Sequence, residues 1–299
     1  MNKNRKLILN TALVFSLLSF LPHQVLSIPI NNSISKYSGI YFSGSYKLEF
    51  PLLDNFSIKE TTSNTKQVIG LSKKKEAENV KDILGYHAAF NEPYTPTFQN
   101  TASGFSGTAG YSYTNKLRFE IEVSYEKFDA EIPEGSIYDD YIEDTYRYFA
   151  LARETSHSLG ASSRITPKYN HYIVMKNNGV SITSFMVNNC YQFSTSQSNK
   201  ILPYICGGVG TDLVQFFNKL HIKLACQVKL GTSYSLSPHY QLFANVYYHE
   251  VIGNYFNKLK PIRTVLPTNT TSTELSNVSA TSTLNISYFG SEIGLRFIL

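Results

Sequence analysis

The 299-residue chain is poor in charge, with 16% Asp, Glu, Lys and Arg, and rich in aromatics, with 14% Phe and Tyr; soluble proteins average roughly 25% charged residues. Trp is absent, Met is scarce, and no long apolar run follows the first 27 residues, which excludes a helical membrane bundle. Abundant Tyr and Phe without apolar runs suit strands in which apolar and polar residues alternate.

Residues 1–27 read as a secretory signal. Lys3, Arg5 and Lys6 form a basic start, Leu7 to Leu21 is largely apolar, Pro22 closes the run, and Val25-Leu26-Ser27 offers a cleavage site ending at Ser27. The run is shorter than the roughly 20 residues a spanning helix needs. Those three cations supply most of the formal charge of +5, so the mature residues 28–299, read as one domain, carry no basic patch for nucleic acid.

The first mature strand is expected over Gly39 to Phe50, with Ile40, Phe42, Tyr46, Leu48 and Phe50 opposed to Tyr41, Ser43, Ser45, Lys47 and Glu49. Pro51 is expected to end its pairing. Residues 51–103 then read as a long polar loop, including Lys73-Lys74-Lys75 with Glu76 and Glu78 close behind. A second strand follows, with Phe105, Ala109, Tyr111 and Tyr113 on one face, and Thr114-Asn115-Lys116 turns the chain.

The third strand gives the clearest signal in the chain. Leu117, Phe119, Ile121, Val123 and Tyr125 alternate strictly with Arg118, Glu120, Glu122, Ser124 and Glu126. In a barrel crossing a membrane one parity meets lipid, and Arg118 at the midplane would cost about 2–4 kcal/mol. The charged parity must therefore point inward.

Residues 129–178 form a second long insertion, acidic at Asp139, Asp140, Glu143 and Asp144, with a short helix expected over Thr145 to Glu154. The fourth strand falls within Val180 to Phe193, where Ile182, Phe185 and Val187 break a single parity and point to a bulge. Ile201 to Leu213 makes a fifth strand containing Cys206-Gly207-Gly208, with a short connection over Val214 to Leu220. In the sixth, Ile222, Leu224, Cys226, Val228 and Leu230 face lipid while His221, Lys223, Gln227 and Lys229 face inward. In the seventh, Tyr240, Leu242, Ala244, Val246 and Tyr248 alternate with Gln241, Asn245 and His249. After a Thr-, Ser- and Asn-rich loop over 251–282, the last strand sets Phe289, Ile293, Leu295, Phe297 and Leu299 against Gly290, Glu292, Gly294 and Arg296.

The expected fold is thus all-β: a transmembrane antiparallel up-and-down barrel of about eight strands, with long outer loops at 51–103, 129–178 and 251–282. Its lumen-lining candidates are Lys47, Glu49, Arg118, Glu120, Glu122, Lys223, Lys229, Glu292 and Arg296. The three cysteines, Cys190, Cys206 and Cys226, fit no zinc spacing and read first as small strand residues, second as one disulfide with one thiol left over.

No catalytic signature is present: His-Glu-x-x-His, Gly-x-Ser-x-Gly and Walker sequences are all missing, and nothing calls for a cofactor or metal. His157-Ser158 and His249-Glu250 are pairs that an outer-rim hydrolase or acyltransferase could use, and such pairs are usually plain surface neighbours. The Asn269 and Asn277 sequons read as polar loop.

Several stretches resemble the major surface antigens of Ehrlichia and Anaplasma, immunodominant outer-membrane proteins described as porins. They are Tyr146-Arg-Tyr-Phe-Ala-Leu-Ala-Arg-Glu154, Val174-Met-Lys-Asn-Asn-Gly-Val-Ser-Ile182, Pro203-Tyr-Ile-Cys-Gly-Gly-Val-Gly-Thr-Asp212, Lys229-Leu-Gly-Thr-Ser-Tyr234, Tyr247-Tyr-His249 and Tyr288-Phe-Gly-Ser-Glu-Ile-Gly-Leu-Arg-Phe297. The resemblance covers essentially the whole mature chain and carries over no catalytic residue. It implies a cell-surface barrel in bacterial outer-membrane lipid, passive diffusion of small hydrophilic solutes, and loops that meet a host receptor or antibody.

The residues themselves leave two functions open. One is a porin; the other is a closed structural barrel acting as adhesin or antigen, because eight-stranded barrels are usually filled by their own side chains. A wide pore needs further strands, at Gly85 to Phe90 or Asn170 to Met175, or a path made by a homo-oligomer. A soluble carrier with its apolar parity inward is the remaining alternative, opposed by the aromatic terminal strand.

Overall fold

The computed structural model describes residues 39–71, 84–113, 116–132, 145–157, 164–193, 201–267 and 277–299. The signal over 1–27 with Ser27, the Lys73–Lys75 run with Glu76 and Glu78, Thr114 and Asn115, the acids Asp139 to Asp144, Ser158 and Asn269 lie outside them.

Alternation dictates the frame. Eight strands, β1 (Gly39–Glu60), β2 (Thr101–Ser112), β3 (Leu117–Phe128), β4 (Val180–Gln192), β5 (Ile201–Phe216), β6 (Lys219–Ser235), β7 (Tyr240–Ile252) and β8 (Ala280–Ile298), pair antiparallel in chain order. Pairing of β8 with β1 closes the ring, so the sheet has no free edge at membrane depth.

Register fixes the tilt. From Phe50 the ladder runs across to Phe289, Tyr248, Val228, Gly207, Asn189, Phe119 and Tyr111, and returns to Ile40, ten residues before its start. Such a stagger belongs to strands tilted by about 35–45°. Outside stand the apolar residues, with Phe119 47%, Ile121 52% and Phe289 53% exposed; inside stand the charges, with Glu122 at 1%.

Above the membrane band the strands continue into a second layer. A five-stranded antiparallel sheet joins Arg263–Val265, Tyr172–Lys176, Tyr148–Ala152, Gln67–Leu71 and Phe90–Pro93 in that order. Phe149, Leu151, Ile173 and Met175 point down and pack with Phe128, Val180, Ile182, Val214, Phe216 and Tyr288 at the top of the barrel. The alternate residues Ala150, Ala152, Tyr172 and Val174 point up, against Ile69, Leu71, Leu84 and Phe90. The three long loops are therefore not irregular throughout; parts of each fold into one platform over the barrel mouth.

Several expectations are corrected. Pro51 does not end pairing, because β1 runs on to Glu60 and Pro51 sits opposite Tyr288. Pairing with β2 stops at Glu49, so Pro51 lies where that side of β1 is an edge and its missing N–H breaks no ladder bond. Thr145 to Glu154 is not a helix: a single 3₁₀ turn over Thr145–Arg147 leads into the strand Tyr148–Ala152. β4 has no bulge, and it pairs in unbroken register with β3 and β5. Its alternation is unbroken, and the apolar residues change parity because the inward face passes from Asn188 and Cys190 to the apolar Ile182 and Val180 beneath the platform. The loop after β5 is shorter than expected, a turn at Phe217-Asn218 with φ of 48° and 58°, the two positive angles of a tight hairpin.

The face assignment has a direct test. Replacing Ile121 by Arg puts a cation against hydrocarbon at a cost of about 2–4 kcal/mol, and should lower the folded fraction of protein refolded into phosphatidylcholine vesicles, scored by heat-modifiable gel mobility. Refolding equal to the parent chain would mean that β3 is assigned the wrong way round.

Candidate functional site

Among the described residues the barrel interior gathers the densest set of charged and polar side chains, and alternation put it there. Inward positions of β3 supply Arg118, Glu120, Glu122 and Glu126; β1 supplies Tyr41, Lys47 and Glu49; β6 supplies Gln227 and Lys229; β8 supplies Glu292 and Arg296. Small residues make the room. The Tyr41 ring lies across Gly110 and the Tyr247 ring across Gly290, each at a place where a Cβ would fall 2.2 Å from a ring carbon.

The interior is layered. Nearest the chain termini, Glu120 accepts from Tyr41 at 2.7 Å and from Arg118 Nε at 2.8 Å, with Arg296 3.4 Å away. The two guanidinium groups also lie over the rings of Tyr204 and Tyr41 at 4.1 and 4.7 Å. In the middle, Lys229 Nζ reaches Glu122 at 2.6 Å and Glu292 at 3.1 Å, while Lys47 reaches Glu126 at 2.9 Å and Glu122 at 3.5 Å. Asn188 donates to Glu122 at 2.9 Å, and Gln227 donates to Asn188 at 2.7 Å. Higher still, Tyr247 donates to Glu49 at 2.8 Å, and His249 meets Asp212 at 2.8 Å while stacking on Tyr288.

Eight of the sequence-derived lumen candidates, Lys47, Glu49, Arg118, Glu120, Glu122, Lys229, Glu292 and Arg296, fall inside this network, each buried. Lys223 does not join it. Its inward parity holds, but it stands near the outer end of β6, where Nζ donates to the Tyr255 carbonyl at 2.7 Å and sits over the Phe256 ring. The lumen-lining candidates did not include the polar partners Tyr41, Glu126, Asn188, Asp212, Gln227, Tyr247 and His249. The inward parity of Glu126 and Gln227 was visible in the sequence; that of Asn188 and Asp212 was not, nor was the wall each would reach.

The cysteine order of preference is reversed. Cys190 and Cys206 face each other across β4 and β5 and form a disulfide inside the lumen, while Cys226, on the lipid-facing parity, is a free thiol. Oxidation suits a protein matured outside the cytoplasm. Of the residues considered for hydrolysis, His157 lies exposed in the outer layer, and His249 is sealed in the lumen at 1% exposure with Asp212 on one nitrogen.

Over the network Phe128, Phe216 and Leu284 of the barrel strands pack with Phe149 from the underside of the platform in one apolar layer. Burial in the platform pushes the Tyr172 phenol up to about 12, so it stays neutral. Exposed aromatics crown the outer side, with Tyr86 68% and Tyr169 64% exposed.

A family model described as surface antigen matches residues 33–299. Major surface antigen 4 of Anaplasma marginale is 25% identical over 284 residues, which is 92% of this chain and 90% of that protein. Among solved structures, neisserial surface protein A aligns over 88% of this chain and 98% of its own at 14% identity and a TM-score of 0.39. The outer membrane protein OprG of Pseudomonas aeruginosa aligns over 88% and 96% at 12% identity and a TM-score of 0.45.

The network yields a stability prediction. Replacing Lys229 by Met strands Glu122 and Glu292 without their shared cation, and removing one partner of a buried pair costs about 3–5 kcal/mol. Urea unfolding in vesicles should show a lower midpoint for Lys229→Met and a partial return in Lys229→Met with Glu122→Gln. An unchanged midpoint for the single variant would show that these charges are solvated.

Proposed function

The chain belongs to the surface antigen family, and from that premise we propose that it works as a closed outer-membrane barrel displaying a folded platform to the host, not as a solute pore. It sits in the bacterial outer membrane at the cell surface, with its apolar band in lipid and its strands returning both ends of the ring to the side away from the platform. On this reading the barrel is a rigid pedestal without catalytic work.

One observation supports the closed reading above the others. Lys229 on β6 and Glu122 on β3, strands that are not neighbours, bridge across the lumen at 4% and 1% side-chain exposure, and an apolar layer lies over them. Passive diffusion needs a continuous wet path, and salt-bridged side chains spanning an eight-stranded ring leave no room for one. The same layer anchors the platform, so recognition falls to its exposed outer side. Tyr86 and Tyr169 there are amphipathic side chains with few rotatable bonds, of the kind that binding surfaces favour.

Two measurements test this reading together. Purified protein in planar bilayers should give no conductance steps at neutral pH; regular steps would overturn the closed barrel. On intact cells, a membrane-impermeant amine reagent should modify Lys168, half exposed on the platform, and spare Lys47 and Lys229. Labelling of Lys229 in folded protein would instead restore the diffusion pore.

A further inference from the structure

Among the described residues, one primary amide faces outward within the apolar band. Asn189 on β4 follows the lipid-facing parity, with Phe185 and Val187 on one side of it along the strand and Tyr191 and Phe193 on the other. Its ladder partners are Phe119 on β3 and Gly207 on β5, whose own outward neighbours Ile121, Ile205 and Val209 are exposed and apolar. The side chain is exposed and makes no hydrogen bond to any described residue.

That placement carries a physical demand. A primary amide has two N–H donors and a carbonyl acceptor, and acyl chains satisfy neither. Polar side chains in this position act as glue between membrane segments, and small residues beside them let backbones approach closely. Gly207 is such a residue: a Cβ built there meets nothing within 4 Å, so a notch opens directly beside the amide.

We propose that the outward wall of β4 and β5, centred on Asn189 and Gly207, is a homodimer interface within the membrane, with the two Asn189 amides hydrogen-bonded to each other across a twofold axis. A second copy is the fitting occupant because a primary amide complements itself, donor to acceptor and acceptor to donor. An interface around a twofold axis brings the same patch from both sides, as a single amide beside a single notch requires. Lipid headgroups are held away by the apolar residues above and below. The partnered residues Val187 and Val209 on one side of this centre, and Tyr191 and Ile205 on the other, are exposed and supply the van der Waals rim. Closure of the lumen plays no part in this assignment, so the dimer stands or falls separately from the closed barrel.

The test keeps the amide in place and reads proximity beside it. In a Cys226→Ser background, full-length protein in phosphatidylcholine vesicles carries either Val209→Cys, next to the centre, or Ile293→Cys, on the opposite wall. Copper-phenanthroline oxidation should link the first into covalent dimers and leave the second monomeric. Adding Asn189→Leu, which improves the fit to lipid, should lower the Val209→Cys yield about tenfold, the value of one or two hydrogen bonds in a membrane. Gly207→Leu, filling the notch, should do the same, with heat-modifiable mobility checking that each barrel is folded. Equal yields from the two cysteine positions, or a dimer yield unmoved by Asn189→Leu in folded protein, would overturn the proposal.

Discussion

Hydrocarbon cannot hydrogen-bond to a peptide group, and that single constraint organises the whole molecule. It forces the eight strands to close, because β1 without β8 would leave a row of N–H and C=O groups in lipid. It then makes period two absolute over the membrane band: a residue is either in lipid or in the lumen. The aromatic abundance and the low charge follow from the outer half of that division. The concentration of charge in so few inward positions follows from the inner half.

What the inner half does with its charges decides the protein's character. An eight-stranded ring is narrow enough for Lys229 to touch both Glu122 and Glu292, and for Lys47 to touch Glu122 and Glu126. Each such contact ties together strands that are not neighbours in the ring, so the lumen cross-braces the wall that backbone ladders only link side to side. Buried ion pairs are a weak source of net stability against an apolar core. Their use here is geometric: they can be met only when the register of several strands is correct at once, which discriminates against slipped pairings. Gly110 under Tyr41 and Gly290 under Tyr247 serve the same end by reserving space for one particular ring.

Much of this was legible in the residues, and the illegible part has a physical pattern. β3, β6, β7 and the end of β8 announce themselves because lipid and lumen differ sharply in polarity. The upper ends of β1 and β4 do not. Above the band, solvent lies outside and the apolar platform inside, so Ile182 turns inward while Ser181 and Thr183 turn out. A rule that equates apolar with outward then reads a straight strand as a bulged one. The platform was hidden for a different reason. Gln67–Leu71 and Arg263–Val265 come from the first and third loops and Tyr148–Ala152 and Tyr172–Lys176 from the second, and no local pattern declares that they pair. The same holds within the lumen: parity marked Glu122 as inward, but only register places Lys229, Lys47 and Asn188 around it. Cys190 and Cys206 likewise meet only because their strands align them.

The joint between barrel and platform separates the residues that hold the fold from those that face outward. Phe149, Leu151, Ile173 and Met175 belong by sequence to the outer insertions, yet they complete the barrel's own apolar core with Phe128, Phe216 and Tyr288. Alternate residues of the same strands, Ala150, Ala152, Tyr172 and Val174, form a second core above. A change in either set would loosen the joint and expose the mouth. A change in the exposed outer positions, Tyr86 or Tyr169 among them, disturbs neither core. The strands of the platform thus carry the folding constraint, and the surface they hold up is free to answer to whatever it meets.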